Sequence, residues 1–358
     1  MNSKAPIRVL IVDDSALIRQ LLSKILSDDP GIEVVATAND PYIAREKIKL
    51  LEPDVITLDV EMPRMDGITF LQNLMRLHPI PTIMVSSLTT KGADVTMRAL
   101  ELGVIDFVTK PGGDVTRLLE VFSEEIIAKV KMAASVSKEA LLRKADQARR
   151  VPRAANNSAT LAASATHFKT TDKLIAIGAS TGGTEAIKEV LMQLPHDSPG
   201  VVISQHIPPL FSASFAARMN DVSALVVCEA QDGQQILNGH AYVAPGDQHL
   251  KVERNGTRFI CKLDDSPPVN RHKPSVDVMF GSIADNVGNN AVGVILTGMG
   301  HDGAQGLKKM HDLGVATIAQ DEKTSIVWGM PGSAVKLGAI DTVLPLDKVA
   351  GKIITLVK

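Results

Sequence analysis

Cysteine is scarce in this chain. Of 358 residues only Cys228 and Cys261 are cysteines, and neither has a CxxC or Cys/His partner spacing. That argues against a disulfide framework and against a cysteine-built zinc site. An excess of charge is missing too. The formal net charge is −2, so no overall field draws the chain to nucleic acid or to an anionic membrane. No stretch reads as a signal peptide or a membrane-spanning helix, and a reducing cytoplasm is the expected location. The rest is ordinary for a soluble globular protein, with 45% hydrophobic and 22% charged residues. The length suits two domains.

The first part of the chain alternates short apolar runs with amphipathic stretches. Residues 7–12, 34–36, 55–58, 82–85 and 105–108 read as strands. Apolar residues at 17, 18, 21, 22, 25 and 26 recur at the helical period, as expected of an amphipathic helix. Further helices are expected over 41–51, 67–77, 95–102 and 115–132. This α/β alternation predicts a five-stranded parallel sheet covered on both faces, of the flavodoxin-like class.

In such a sheet, ligands bind at the C-terminal ends of the strands. Those ends carry Asp13 and Asp14, then Asp59, Ser86 and Lys110, all expected at one edge. Carboxylates so close repel one another unless a cation intervenes, and oxygen-only ligation suits Mg2+. A carboxylate held there can attack a phosphoryl donor and form an acyl phosphate. A single aspartate could be a turn residue; this set at successive strand ends points to chemistry. The motifs Val12-Asp13-Asp14-Ser15, Leu58-Asp59-Val60-Glu61-Met62-Pro63, Met65-Asp66-Gly67, Val85-Ser86 and Thr109-Lys110-Pro111 resemble the receiver domain of bacterial two-component response regulators, over about residues 6–125. The resemblance implies Asp59 as phosphoacceptor. It implies Asp13, Asp14, Asp59 and the Glu61 carbonyl as Mg2+ ligands. It also implies Ser86, Phe107 and Lys110 as the groups that register phosphorylation.

From 133 to 171 the pattern fails, and a flexible linker is expected, with a polar helix over 137–150. Lys138, Arg143, Lys144, Arg149, Arg150 and Arg153 make it basic. No aromatics are interleaved for base stacking, so a solubilising tether is expected rather than a nucleic-acid patch.

The second unit, expected over 172–358, is again α/β. Strands are expected at 174–178, 201–204, 241–244, 251–253, 258–262, 291–296, 315–319 and 342–344. Helices are expected at 184–193, 209–219, 275–286, 303–313 and 331–336. The prediction is a doubly wound, mainly parallel sheet with a small antiparallel insert around 241–262. Its first strand runs into Gly178-Ala179-Ser180-Thr181-Gly182, the spacing of a nucleophile elbow. A dinucleotide-binding turn competes with that reading. Against it, Ser180 takes the place of the middle glycine, and the acidic residue expected about 20 positions later is missing. His206 ends the next strand, and Asp302 follows the strand at 291–296, where a helix N-cap would be its ordinary role. Three strand ends thus deliver Ser, His and Asp to one edge, the parts of a catalytic triad. Their order differs from the Ser…Asp…His of α/β-hydrolases.

The motifs Ile177-Gly178-Ala179-Ser180-Thr181-Gly182-Gly183, Gln205-His206-Ile207-Pro208, Ala244-Pro245-Gly246, Pro274-Ser275-Val276-Asp277, Leu296-Thr297-Gly298-Met299-Gly300-His301-Asp302-Gly303 and Gly329-Met330-Pro331 resemble the catalytic domain of the chemotaxis protein-glutamate methylesterases, the CheB family. A receiver joined to such a domain is that family's architecture. The resemblance implies Ser180, His206 and Asp302 as the catalytic residues and the Met299 backbone N–H as oxyanion donor. It implies methanol release from glutamate methyl esters on chemoreceptors, and deamidation of particular receptor glutamines. It implies a chemotaxis histidine kinase as phosphodonor to Asp59, and a receiver that blocks the catalytic edge until phosphorylated. Mg2+ is implied for the receiver only. The expected protein is a cytoplasmic monomer without nucleic-acid partner or membrane insertion. A response regulator whose second unit only binds a partner or nucleotide is the alternative; a DNA-binding regulator lacks a helix-turn-helix and a basic second unit.

Overall fold

The computed structural model describes residues 5–60, 62, 67–86, 89–110, 115–149 and 173–358. The chain divides into two compact units at residue 151. The first runs β1 (Ile7–Val12), α1 (Ala16–Ser27), β2 (Ile32–Ala38), α2 (Pro41–Leu51), β3 (Val55–Asp59), α3 (Gly67–Leu77), β4 (Thr82–Ser86), α4 (Thr90–Glu101), β5 (Asp106–Thr109), α5 (Val115–Ser135) and α6 (Lys138–Arg149). Its strands form one parallel sheet in the order β2-β1-β3-β4-β5. β3 and β4 are buried along their whole length, as strands covered by helices on both faces must be. Side-chain caps set two of the helix starts. Ser15 accepts from Ile18 N–H, and Asp40 accepts from Tyr42 and Ile43 N–H, which satisfies amides the first turn leaves open.

The first part of the linker expected from residue 133 is mostly helical. α5 continues to Ser135 and α6 follows almost at once. Ala140, Leu141 and Ala145 of α6 are buried, and the buried Lys144 donates its ammonium to the Val104 carbonyl. A narrow apolar stripe on a strongly charged helix hides this packing from composition alone. Residues 150–172, the rest of the expected tether, lie outside the described residues.

The second unit runs β6 (Leu174–Ala179), α7 (Gly183–Leu191), β7 (Gly200–Gln205), α8 (Pro209–Val222), β8 (Val226–Glu229), β9 (His240–Val243), β10 (His249–Asn255), β11 (Arg258–Asp264), α9 (Val276–Asn286), β12 (Ala291–Ile295), α10 (Ala304–Asp312), β13 (Ala316–Gln320), α11 (Met330–Lys336), β14 (Thr342–Leu344) and α12 (Leu346–Val357). Seven strands make one sheet in the order β14-β13-β12-β6-β7-β9-β8, with every pairing parallel. Among the described strands, β10 and β11 alone pair antiparallel, in a separate hairpin. β9 therefore belongs to the main sheet and not to the expected insert. A four-residue apolar run carries no sign of its neighbour's direction. β8 and α12 were not expected from the sequence. β8 is a short edge strand whose Val226 is half exposed. α12 packs Val349, Ala350, Ile353 and Val357 inward, the stripe of an amphipathic helix. No described helix is long and apolar enough to cross a membrane.

The three central strands, β6, β7 and β12, are buried throughout. Across β6 the winding reverses: β7 and β9 lie to one side, β12 and β13 to the other. Such a switch point opens a crevice at the C-terminal strand ends. α9 packs directly beneath it. A Cβ on Gly178 would lie 2.2 Å from Val276 Cγ1, so only glycine admits this approach of β6 and α9. Gly178→Ala should destabilise the second unit by about 1–3 kcal/mol through overpacking. The check is its thermal unfolding midpoint, and an unchanged midpoint would contradict the close approach.

Candidate functional site

Ser180 follows β6 directly. Its N–H donates to Thr297 O at 3.0 Å, and its carbonyl accepts from Gly183 N–H at 2.7 Å. The sharp bend falls at Gly182, whose φ is +75°. Ser180 itself is not among the positive-φ residues. Glycine carries the left-handed conformation of this turn and serine does not. The Gln205 carboxamide braces the turn. Its Nε2 donates to Ser180 O at 2.9 Å and to His206 O at 3.1 Å. One side chain thereby ties the end of β6 to the end of β7.

His206 lies between the other two predicted residues. Its Nδ1 is 3.1 Å from Ser180 Oγ, and its Nε2 is 2.8 Å from Asp302 Oδ2. A carboxylate at Nε2 requires the proton there, which leaves the Nδ1 lone pair facing the serine hydroxyl. The nitrogen that faces the serine is therefore Nδ1, the reverse of the Ser-His-Asp template, where Nε2 meets the serine.

Asp302 is 1% exposed. It is not the side-chain cap of its own helix, since α10 is preceded by Gly303 and has no side-chain cap. Instead it sits on the N-terminus of α9. Oδ2 accepts from Val276 N–H at 2.7 Å, and Oδ1 from Asp277 N–H at 3.3 Å, Ser275 Oγ at 2.8 Å and Asn270 Nδ2 at 2.8 Å. Burial pushes its carboxyl pKa up. The His206 contact, Asn270 and the Val276 amide outweigh that and hold it well below the usual range. Neighbouring Asp277 is pushed the other way, first by burial and then by the charge of Asp302, against a hydrogen bond from Gly306 N–H.

Met299 lies on the same edge. Its side chain is partly exposed, and no described acceptor takes its N–H. The adjoining Gly298 backbone comes close to Ser180: a Cβ there would lie 2.9 Å from Ser180 Cβ.

In the first unit, Asp13 and Asp59 are buried and Asp14 is exposed, with oxygens of the three within 4.8 Å of one another. Lys110 Nζ lies 2.9 Å from Asp13 Oδ2 and 2.9 Å from Asp59 Oδ2. Burial works to lower the lysine pKa, but Asp59 and then Asp13 raise it above the ordinary value. The donor set is all oxygen, which fits a small hard cation. Ser86 and Phe107 are buried on β4 and β5. Glu61 lies outside the described residues.

Two family models match the chain. "CheB methylesterase" covers residues 175–353, and "Response regulator receiver domain" covers 9–123. A protein-glutamate methylesterase/protein-glutamine glutaminase of Hydrogenovibrio crunogenus is 57% identical over 98% of this chain and 99% of its own. The chain belongs to this family. A second member, from Xanthomonas euvesicatoria, is 59% identical over 99% of each chain. The crystal structure of the Thermotoga maritima CheB methylesterase catalytic domain aligns with a TM-score of 0.51 and 39% identity. It covers 51% of this chain and 98% of that one.

All three triad candidates come together as expected from the sequence. What the sequence did not reveal is the support around them: Gln205, Asn270, Ser275 and the α9 amides. Gln205 and Ser275 stood inside the quoted motifs, but nothing in one dimension gave them a role.

Two predictions follow from these charges. A carboxyl whose folded pKa is depressed adds stability above its unfolded value, near pH 4, and loses it as acid titrates the folded group. Asp302→Asn removes that dependence, so its stability should fall less than the parent's between about pH 5 and pH 2. Parallel declines in acid denaturation curves would refute the assignment. In the receiver, Lys110→Ala removes the cation that neutralises Asp13 and Asp59. Mg2+ should then bind severalfold tighter by calorimetry, and equal or weaker binding would show that the lysine does not compete for the site.

Proposed function

We propose that this chain is a phosphorylation-controlled serine esterase and amidase acting on receptor glutamyl side chains. The observation that carries the chemistry is the continuous chain Ser180 Oγ–His206 Nδ1 and His206 Nε2–Asp302. Ser180 Oγ attacks the carbonyl of a glutamate methyl ester, and His206 Nδ1 takes its proton. The Met299 N–H is the donor that would meet the tetrahedral oxyanion. On collapse, Nδ1 returns the proton to the leaving oxygen and methanol departs. Water then gives a proton to Nδ1 and attacks the acyl-enzyme, which releases glutamate and restores Ser180. With a glutamine substrate the same steps release ammonia. Asp302 holds the ring and meets the imidazolium charge without taking the proton.

The receiver supplies control. Asp13, Asp14 and Asp59, with the Glu61 carbonyl, would hold Mg2+, which when bound neutralises charge between the carboxylate and an incoming phosphoryl group. Asp59 accepts the phosphoryl group from a chemotaxis histidine kinase. Lys110, already beside Asp59, and the Ser86 hydroxyl bind its oxygens, and Phe107 responds. The unphosphorylated receiver, residues 6–125 with α5 and α6 closing it, restrains the catalytic unit at 172–358. On this reading the protein works in the cytoplasm, as a monomer, on chemoreceptors.

The test is methanol release from methylated receptor membranes, with and without a small phosphodonor. The full chain should be accelerated by the donor, and Ser180→Ala should release none. Removing residues 1–151 should raise the basal rate. A well-folded fragment at the parent rate or below would refute restraint by the receiver, and an active Ser180→Ala protein would refute the triad.

A further inference from the structure

The loop from β11 to α9 holds an unusual corner. Among the described residues, the non-glycines at positive φ are Glu52, Asn270 and Arg271, at 45°, 53° and 68°. The last two are consecutive. Val269 N–H donates to His272 O at 3.1 Å and His272 N–H to Val269 O at 2.9 Å. Asn270 and Arg271 are thus the tip of a two-residue hairpin, the geometry that demands positive φ at both positions. Asparagine tolerates this conformation; arginine adopts it far less readily.

Such strain persists only where the surroundings fix it, and it collects at functional sites. Here the fixing group belongs to the triad. Asn270 Nδ2 donates to Asp302 Oδ1 at 2.8 Å and to Asp277 Oδ2 at 2.7 Å. The same corner delivers His272 onto the base. The rings of His206 and His272 stack with centroids 3.7 Å apart and planes 12° from parallel.

The stack answers a geometric need. Two in-plane hydrogen bonds hold His206, through Nδ1 and Nε2. They leave the ring free to tilt about the line joining its partners. A ring on one face prevents that tilt, excludes water from the face, and offers π density when His206 becomes an imidazolium.

We propose that His272 is a positioning residue for catalysis, holding the His206 ring in the plane that joins Ser180 to Asp302. The inference rests on the triad reading and goes beyond it. Phenylalanine should replace the ring face, whereas alanine or glutamine should not.

The experiment measures kcat and KM for methanol release by the full chain with a phosphodonor, for His272→Ala, His272→Gln, His272→Phe and Ser180→Ala. His272→Ala and His272→Gln should lower kcat by about three- to tenfold, the worth of an aromatic pair, with KM within about twofold. His272→Phe should recover most of kcat. Nitrogen-15 NMR of the His206 ring gives a readout independent of turnover: the single Nε2–H tautomer should persist in His272→Phe and average in His272→Ala. Parent kcat in His272→Ala, a loss confined to KM, or His272→Phe no better than His272→Gln overturns the proposal. The Phe–Gln comparison decides it alone if the alanine protein does not fold. An inactive Ser180→Ala beside a fully active His272→Ala sinks the stack and spares the triad. An active Ser180→Ala sinks both.

Discussion

Asp302 carries its charge at 1% exposure, where an unpaired carboxylate would cost several kcal/mol. Donors have to converge on it, and they come from separate parts of the chain. β7 sends His206, the α9 N-terminus sends the Val276 and Asp277 amides with the Ser275 hydroxyl, and the β11–α9 loop sends Asn270. The α9 end adds its helix dipole, which favours an anion. Satisfying one buried charge therefore fixes the distance from β12 to α9, the path of the loop and the ring of His206. Removing any one donor leaves the others with an under-satisfied carboxylate, so the site behaves as a unit.

The two units solve the problem of gathering distant residues in the same way. Each has a parallel sheet that winds in two directions from a central strand, and each places its site at the reversal. Asp13 and Asp59 end β1 and β3, which are neighbours in the first sheet; Ser180, His206 and Asp302 follow β6, β7 and β12, which are neighbours in the second. The electrostatic solutions differ. In the receiver, the repulsion among carboxylates is met by the single ammonium of Lys110, 2.9 Å from both Asp13 and Asp59. In the catalytic unit, the single carboxylate of Asp302 is met by backbone amides and polar side chains.

Much of the fold was legible because burial writes period into sequence. The largely apolar runs of β3, β4, β6, β7 and β12 mark strands covered on both faces, and the stripe at 17, 18, 21, 22, 25 and 26 marks α1. Where burial is partial, the pattern failed. β8 exposes Val226, α6 shows only a narrow apolar stripe among charges, and β9 is too short to declare its neighbours. The candidate site was legible as residue types at strand ends, which singled out Ser180, His206, Asp302, Asp13, Asp59 and Lys110 as candidates. It was not legible as support: Gln205 and Asn270 are polar residues of common type at ordinary positions.

The sequence alone determined the order of elements, the presence of two α/β units and the residues capable of nucleophilic and phosphoacceptor chemistry, since these depend on local period and side-chain type. Tertiary structure decided which ring nitrogen faces Ser180, that Asp302 caps α9 instead of its own helix, and that His272 lies on His206. Those facts depend on contacts between segments up to about a hundred residues apart, such as His206 with Asp302. The physical reason is that a hydrogen bond or a ring stack is set by distance and angle in space, and neither has a period along the chain.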